Sequence, residues 1–395
     1  MAILSVNAGS STLKFSLHPT DDGQAQASIL SGNIQGLEPG GSPVMDWTLN
    51  GAKQSQALPN AQTDPFAQAL AQLRQLLQTL PGLPPIDAVA HRVVHGGELF
   101  SASVVVTDDI LAQLTRFNSL APLHQPHNLE GIRAFSKAFA GVPQVACFDT
   151  AFHATLPELA QAFALPAEVT DQGVRRYGFH GLSYQYIMMR LQAHSPRANG
   201  RVLMAHLGNG ASLCGALHGK SCTTSMGFSA LDGLMMGTRS GNLDAGVLLY
   251  LMEQGWDHKR IQTLLYKQSG LLGVSGISAD MRTLRNSSST QAKKAIDLFT
   301  YRVMRESGAM IACLGGLDAI AFSGGIGEHD AVLRAQVCAD LGWLGIQLDP
   351  QANDSATGGD IVAIHAPGSQ VEVWVVPTDE GLVAAMDAVK LVSAE

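Results

Sequence analysis

One pattern occurs near the start of each half of the 395-residue chain: an apolar run, a turn of small residues and a second run rich in apolar residues. The first copy covers residues 2–18 and turns at Gly9-Ser10-Ser11-Thr12. The second covers residues 202–217 and turns at 208–212. Such runs on either side of a Gly-rich break predict a β-hairpin, and the alternation after the first turn predicts one buried face. A hairpin that opens each half indicates two duplicated domains that face one ligand across a cleft.

Both predicted turns carry small side chains that let backbone N–H groups approach an anion, and phosphate is the usual anion for such a nest. The first turn also has three hydroxyls and a nearby cation, Lys14. An ordinary N-terminal hairpin is the competing interpretation, because short Gly/Ser motifs match by chance frequently. The repeat of the pattern favours the phosphate interpretation.

Strands and helices alternate along the remainder of the chain, which is typical of an α/β protein. Further strands are predicted at 27–34, 86–94, 144–148, 318–322 and 371–376. Helices are predicted from 64, with Asp64 as N-cap and Pro65 at the first helical position, from 107, over 292–314, from 332 and over 382–392. Residues 36–64 are predicted to be loop with a small hairpin around 44–47, and 323–328 a glycine-rich strand-to-helix turn.

Charge and cysteine content exclude several classes of protein. The net charge of −8 provides no basic footprint for nucleic acid or an anionic membrane. The five cysteines are irregularly spaced and form no C-x-x-C pair, so they indicate neither a zinc site nor a disulfide framework. The first residues lack the basic region and cleavage site of a signal peptide, so we expect none there, and no apolar run approaches about 20 residues. We therefore expect a cytoplasmic protein with no nucleic-acid or membrane partner.

Seven motifs in one order give the chain a specific resemblance over essentially its whole length. The chain resembles the acetokinase family within the actin/Hsp70/sugar-kinase superfamily. The motifs are NAGSSTLKF at 7–15, HRVVHGG at 91–97, FDTAFH at 148–153, YGFHG at 177–181, HLGNG at 206–210, MMGTRSG at 235–241 and GGIGE at 324–328.

The resemblance implies an α/β fold of two duplicated ribonuclease H-like domains, the actin-like ATPase fold, around a nucleotide cleft. The N-terminal domain would comprise 1–150 plus 381–395, with the last helix packed back on it, and the C-terminal domain 151–380. The implied activity is reversible ATP-dependent phosphorylation of acetate to acetyl phosphate, with Mg²⁺ or Mn²⁺, in a cytoplasmic homodimer.

Four residues would carry the chemistry by this resemblance. Arg92 and Arg239 would neutralise the charge where acetate meets the γ-phosphate, because a guanidinium can hold carboxylate or phosphoryl oxygens bidentately. His180 would donate a hydrogen bond to the transferring phosphoryl group. The family assigns the counterpart of Asp149 a proton-transfer role. Acetate is already ionised at pH 7, however, so we predict that Asp149 mainly organises Mg²⁺, its waters and Arg92.

Each of these residues also has a structural interpretation. Arg92 could be a surface residue of an edge strand, Arg239 part of a loop ion pair, His180 a turn histidine and Asp149 a helix cap. His124 and His127 form an H-x-x-H pair, which without a third ligand is weak support for zinc. We expect His124 near the acyl site and no bound transition metal.

The remaining site residues also follow from the resemblance. Asn7 and Glu380 would lie near Mg²⁺, mostly through water, and Lys14 would be a point charge on the phosphates. His329 stands where the family commonly has Asn. The nucleotide would contact His206, Leu207, Gly208, Asn209, Gly210, Asp280, Met281, Arg282, Gly325, Ile326, Gly327, Glu328 and His329.

The acyl pocket differs from the usual family pattern. Val94, Leu123, Phe179 and Ala230 would line the methyl pocket, and Ala230 stands where Pro is common. The smaller side chain predicts a roomier pocket, with acetate as best substrate and measurable activity on propionate. A propionate or butyrate kinase, an ATP-driven binding module of the Hsp70/actin type and a catalytically idle homologue are the alternatives.

Overall fold

The structure is a computed structural model that describes residues 1–9, 11–38, 40–59, 64–122 and 124–393. The predicted turn residue Ser10 and the predicted acyl-pocket residue Leu123 lie outside the described residues. The chain divides into two compact units. Unit 1 comprises Met1–Ala151 and Asp379–Glu395, and unit 2 comprises Phe152–Thr378.

The elements of unit 1 begin with the predicted hairpin. Its strands are β1 (Ala2–Ala8), β2 (Thr12–Asp21), β3 (Gln24–Ala25), β4 (Leu30–Gln35), β5 (Val44–Leu49), β6 (Ala52–Ala57), β7 (Ile86–Val93), β8 (Val104–Val105) and β9 (Gln144–Phe148). Its helices are α1 (Pro65–Thr79), α2 (Asp108–Thr115) and α3 (Gln125–Ala138), with a 3₁₀ turn at Arg116–Ser119.

Unit 2 and the end of the chain contain the other elements. The strands are β10 (Arg201–Leu207), β11 (Ala211–Leu217), β12 (Lys220–Thr224), β13 (Ala319–Ser323), β14 (Val362–Ala363) and β15 (Glu372–Val375). The helices are α4 (Glu158–Gln161), α5 (Ala167–Thr170), α6 (Gly181–His194), α7 (Ala245–Glu253), α8 (His258–Lys267), α9 (Gly270–Ser275), α10 (Met281–Arg285), α11 (Thr290–Leu314), α12 (Gly324–His329), α13 (Ala331–Asp340), α14 (Pro350–Ser355) and α15 (Glu380–Val392). Short 3₁₀ helices cover Ala151–Thr155, Pro196–Asn199 and Gly342–Leu344.

The two sheets repeat one strand order. In unit 1 the central strands run β4-β2-β1-β7-β9, and in unit 2 they run β12-β11-β10-β13-β15. In each sheet the first three strands are antiparallel and the last two are parallel to the first strand of the hairpin. The shared order identifies two duplicated ribonuclease H-like domains, which confirms the predicted fold class.

The sequence explains why the central strands are parallel. β9 and β13 are five-residue strands in which every residue is buried, which is typical of a parallel strand covered on both faces. Helix α15 returns to unit 1 and packs on β1 and β7. Asp379 caps this helix by accepting from Leu382 N at 2.9 Å. The Ser5 hydroxyl donates to the Gly381 carbonyl at 2.7 Å and ties the helix start to β1.

Most predicted elements are confirmed, including both hairpins and the Asp64 cap of α1, whose carboxylate accepts from Ala67 N at 2.9 Å. Two predictions were wrong in detail. The small hairpin predicted around 44–47 within the segment 36–64 is longer than expected, since its strands β5 and β6 extend over 44–57. The glycine-rich stretch after β13 is not a turn before a helix but the short helix α12 itself. Its first residue, Gly324, has φ +74°, and a Cβ there would lie 2.8 Å from the Leu207 carbonyl oxygen.

Candidate active site

The carboxyl ends of two parallel strands in unit 1 bring Arg92 and Asp149 together. Arg92 lies near the end of β7, and Asp149 directly follows β9, where its N–H donates to the Val93 carbonyl at 3.0 Å. Arg92 Nε donates to Asp149 Oδ1 at 3.0 Å and Nη2 to Oδ2 at 2.5 Å. Asp149 is 2% exposed, whereas Arg92 is 23% exposed. The pair is therefore bidentate, with its cation at the accessible end.

A second carboxylate adds to the field around Arg92. Glu380, the first residue of α15, places Oε2 3.7 Å from Arg92 Nε. Burial alone would lower the pKa of Arg92, but the charges of Asp149 and Glu380 outweigh it and raise that pKa above its ordinary value. Arg92 therefore stays charged throughout any practical pH range.

Asn7 and Lys14 lie opposite each other in the β1–β2 hairpin. Cross-strand partners of an antiparallel pair point to the same face of the sheet. Asn7 is half-buried and Lys14 is exposed. The hairpin therefore presents one amide and one exposed cation side by side.

Two buried side chains that the sequence interpretation missed hold the loop after β7. Asn128 accepts from Val94 N at 3.0 Å and donates to the Ala8 carbonyl at 2.8 Å, so it joins the ends of β7 and β1. Gln125 bonds both backbone groups of His95, at 3.1 and 2.9 Å. Both residues lie on α3. Their signal in the sequence was a pair of polar residues, three apart, in the first turns of a helix.

The predicted acyl-pocket residues fall into two groups. Val94 in unit 1 is buried, and His124 is the half-buried N-cap position of α3. Phe179 and Ala230 belong to unit 2, where Phe179 is buried and the Ala230 carbonyl accepts from Arg239 Nη1 at 3.2 Å. Ala230 and Arg239 are thus neighbours. The methyl pocket itself stays a prediction.

In unit 2, His180 and Arg239 converge on the turn of the second hairpin. His180 is the N-cap position of α6, and its Nδ1 lies 2.8 Å from the Ser212 hydroxyl on β11. A Cβ built on Gly210 would lie 3.4 Å from His180 Nε2 and 4.0 Å from Arg239 Nη1. Glycine at 210 therefore leaves a space that both an imidazole and a guanidinium reach.

His206 stacks on His180, with ring centroids 4.3 Å apart and an interplanar angle of 27°. Its Nδ1 lies 2.8 Å from the Ser183 hydroxyl, which is 2.9 Å from the hydroxyl of Thr378. A Cβ on Gly208 would lie 4.0 Å from both His206 Nε2 and Gly325 N. The turn therefore groups two imidazoles, one guanidinium and a backbone N–H around its glycines, a donor set suited to phosphate.

A cavity of about 900 Å³ lies beside this turn, within unit 2. It is large enough for a nucleotide, since small-molecule sites have volumes of about 300–1,000 Å³. Eight predicted nucleotide residues line it: Gly208, Asn209, Asp280, Met281, Arg282, Gly325, Ile326 and His329. The prediction missed six further lining residues: Ala279, Arg285, Asn286, Asp330, Ala331 and Val332.

The other predicted nucleotide residues, His206, Leu207, Gly210, Gly327 and Glu328, do not line that cavity. Glu328 instead braces the end of β13, because its Oε1 accepts from Gly324 N at 2.9 Å and from Thr378 N at 3.3 Å. Burial raises the pKa of Glu328, although these two N–H groups act in the opposite direction.

Asp280 lines the cavity, and Arg334 holds a helix that contributes to its lining. Asp280 caps α10 by accepting from Thr283 N at 2.9 Å, and this bond contributes most to lowering the pKa of its carboxyl. Arg334 on α13 is fully buried and donates to the Gly327 and Glu328 carbonyls at 2.9 and 2.8 Å. It thereby holds the last turn of α12.

The described residues contain no cluster of three or more His, Cys, Asp or Glu side chains placed to hold a metal ion. Unit 1 contains the three oxygen-bearing side chains predicted to lie near the cation, Asn7, Asp149 and Glu380, and both carboxylates contact Arg92. This donor set suits a hard cation that keeps most of its waters, as Mg²⁺ does. In the described part of the chain, no helix is long and apolar enough to cross a bilayer.

The duplicated fold, the phosphate-type donor set and the cavity are those of a nucleotide-binding protein of the ribonuclease H-like class. The sequence profile of the Acetokinase family matches residues 2–386, so the chain belongs to that family. It is 50% identical over 389 residues to an acetate kinase from Rhodopseudomonas palustris, covering 97% of this chain and 96% of the relative. An acetate kinase from Methylocella silvestris is 45% identical over 393 residues, covering 97% and 96%.

Solved crystal structures of two kinases have the same fold as this chain. The crystal structure of Porphyromonas gingivalis acetate kinase superposes with a TM-score of 0.88 at 36% identity, covering 99% of both chains. That of a propionate kinase from Francisella tularensis superposes with a TM-score of 0.90 at 36% identity, covering 98% of both. The fold is therefore shared with kinases named for two carboxylic acids that differ by one methylene.

Proposed function

We propose that the chain is an acetate kinase that transfers the γ-phosphoryl group of ATP reversibly to acetate in one direct, in-line step. A carboxylate oxygen of acetate forms the new bond to phosphorus, the bond from the γ-phosphorus to the bridging oxygen breaks, and ADP leaves with the bonding electrons. Membership of the family supports the kinase activity and its substrates, acetate and ATP. The observation that carries the chemistry is the convergence of His180 and Arg239 on Gly210, beside the nucleotide-sized cavity.

Charge neutralisation and positioning provide most of the catalysis of phosphoryl transfer. We assign Arg239 and Arg92 to the γ-phosphate and the acetate carboxylate, and His180 Nε2 to a hydrogen bond with the transferring group. Asp149 accepts both hydrogen bonds that orient Arg92. Because acetate is ionised at neutral pH, no base is required to generate the nucleophile. Asp149 is therefore assigned a positioning role.

We assign Asn7, Asp149 and Glu380 to a water-mediated site for Mg²⁺ or Mn²⁺, since their donors are oxygens only. When bound, the cation neutralises charge on the nucleotide phosphates. Lys14, opposite Asn7 in the hairpin, adds a point charge toward the same phosphates. The donor set supports this assignment. To test it, turnover is measured as a function of Mg²⁺ or Mn²⁺ concentration. Turnover should depend on the cation in the wild type and should be lower in N7A.

A homodimer is supported by the surface of α7. None of its nine residues is buried, and Leu249, Tyr250 and Met252 are 64%, 58% and 54% exposed. An apolar helix face of this kind fits a second copy of the chain. Light scattering should give a mass of twice the 41.6 kDa of one chain for the wild type, and the mass of a single chain for L249E. The control L159E, at a residue that is 91% exposed elsewhere, should stay dimeric.

A cytoplasmic location is supported by the cysteines, since all five are free thiols. Free thiols are typical of a reducing compartment. Fractionation of cells should place the chain with soluble cytoplasmic markers. Recovery of oxidised, disulfide-linked chain from an exported fraction would contradict the proposal.

Trapping of the acyl phosphate with hydroxylamine tests the activity, with acetate, propionate and butyrate side by side. Acetate should give the highest rate, and R239K should abolish most of it because Lys cannot replace a guanidinium fork. The matched control R197K changes a surface arginine paired with Glu372 and should leave the rate unchanged. ATP hydrolysis that ignores acetate would favour an ATP-driven binding module instead.

A further inference from the structure

The backbone around His180 has an unusual conformation. His180 has φ +59°, in the left-handed region that residues with a Cβ rarely adopt. The other described residues of this kind, Asp22, Asn50 and His218, lie in turns between strands, whereas His180 begins a helix. Such a conformation persists only when its surroundings hold it. The residues that hold it therefore set where the imidazole points.

His153 contacts the peptide unit that precedes His180. It is 2% exposed, and its Nε2 lies 2.9 Å from the Phe179 carbonyl oxygen. Its Nδ1 lies 2.8 Å from the Ser221 hydroxyl on β12. A Cβ on Gly178 would lie 2.6 Å from His153 Cδ2, so only glycine allows this close approach.

The hydrogen bonds of His153 have only one consistent direction. A carbonyl can only accept, so Nε2 carries the proton and donates to Phe179 O. Burial lowers the pKa of His153 to about 4, so the ring is neutral and Nδ1 accepts from Ser221 Oγ. The Cys214 sulfur lies 3.4 Å from the same hydroxyl, and burial raises the pKa of that thiol to about 12, so it remains a donor.

We propose that His153 is a positioning residue: the chain Cys214–Ser221–His153 fixes the Phe179 carbonyl and thereby aims His180 at the space beside Gly210. The inference rests on the proposed role of His180. It assigns a role to the last residue of the FDTAFH motif, which the sequence interpretation left without one. Because Phe179 is one of the four predicted acyl-pocket residues, the same tether would also hold one part of the predicted pocket.

A double-mutant cycle on the full-length enzyme tests the proposal. H153A should lower kcat by about 30-fold or more while the KM for ATP changes less than about twofold, because the nucleotide cavity is not touched. H153Q retains a donor and an acceptor at similar reach and should recover kcat to within about fivefold. In the H180A background, H153A should have no further effect on kcat. The control H365A removes a histidine that bonds the Val373 backbone and should leave kcat unchanged.

The outcomes separate the two claims. If H180A does not lower kcat, the proposed role of His180 is wrong. If H180A lowers kcat and adding H153A in the H180A background lowers kcat further, His153 does not act through His180 and the proposed positioning role is refuted. A parallel rise in the KM for ATP, without recovery in H153Q, would also overturn it. Should H153A fail to fold, S221A provides the same test, because it removes the hydroxyl that orients the ring.

Discussion

Replacing Asp149 by Asn removes one charge from the Arg92 pair while keeping the size of the side chain. In the wild type, the carboxylate accepts from Arg92 Nε at 3.0 Å and from Nη2 at 2.5 Å. An amide can accept only one of these bonds and turns its own NH₂ donors toward the guanidinium. Arg92, which is 23% exposed, then swings out of its fixed orientation.

The structure sets the size of the effect. D149N loses one charge-assisted hydrogen bond and part of the second. We expect this to reduce the stabilisation of the transition state by the correctly oriented Arg92 by about 3 kcal/mol. About 3 kcal/mol corresponds to a roughly 10²-fold loss in kcat/KM for acetate. Because the charges of Asp149 and Glu380 raise the pKa of Arg92 above its ordinary value, the guanidinium stays charged throughout the pH range of the assay. The pH–rate profile of the wild type should therefore be flat around neutrality.

Hydroxylamine trapping of acetyl phosphate measures kcat and KM for D149N between pH 6 and 9. The matched control is D318N, because Asp318 forms a similar bidentate pair with Arg201, at 3.0 and 2.7 Å. That pair lies at the opposite end of β13 from α12, so D318N should change thermal stability but not kcat.

Two results would refute the positioning role. One is a sharp ionisation near pH 7 in the wild type that disappears in D149N while substantial rate remains, since this indicates a proton acceptor. The other is an equal loss of activity in D318N, since this indicates that any broken arginine pair disables the fold.

Three further predictions follow from single side chains. The wild type should turn over propionate measurably, and A230P should lower propionate relative to acetate by about tenfold, since one methylene is worth about 1–3 kcal/mol in a pocket; undetectable propionate turnover would contradict the roomier pocket. The pKa of His91 is lowered to about 4 by burial, so its neutral ring stabilises the fold fully above pH 6.5 and this contribution is lost as the pH falls toward 4. The Tm should fall across that window, and less so in H91Q. R334M should cost about 3 kcal/mol or more in chemical denaturation, because it leaves buried carbonyls without a donor at about 1–3 kcal/mol each, and should raise the KM for ATP.

The fold could be predicted from short sequence patterns because the hairpin that each domain repeats is formed by residues that are close together in the chain. Each hairpin is encoded by short apolar-rich runs on either side of a Gly-containing turn, and the fully buried strands β9 and β13 lie in the parallel part of each sheet. The hairpin β5–β6 was underestimated because all six residues of β6 are exposed, so no buried face marks the strand. Likewise α12 contains three glycines, and tertiary packing by Arg334 overrides their low helix propensity.

The site was predicted unevenly. Arg92, Asp149, His180 and Arg239 stand in motifs that mark chemistry. The residues that hold them were not recognised: Asn128 lies in none of the seven motifs, and His153 stands in the FDTAFH motif with no pattern that marks it as a buried hydrogen-bonding residue. Their partners, Ala8 and Ser221, are 120 and 68 positions away along the chain.

The sequence alone therefore determined the duplicated hairpins and the order of the main elements, since these depend on spacing and residue type, and the motifs of the family resemblance indicated the charged groups. Only the tertiary structure decided that Asp149 orients Arg92 by a bidentate bond, that Gly210 opens a space reached by His180 and Arg239, and that Glu328 braces a strand rather than lining the cavity. Hydrogen bonds act over about 3 Å and depend on angle, so they are set by how distant segments pack.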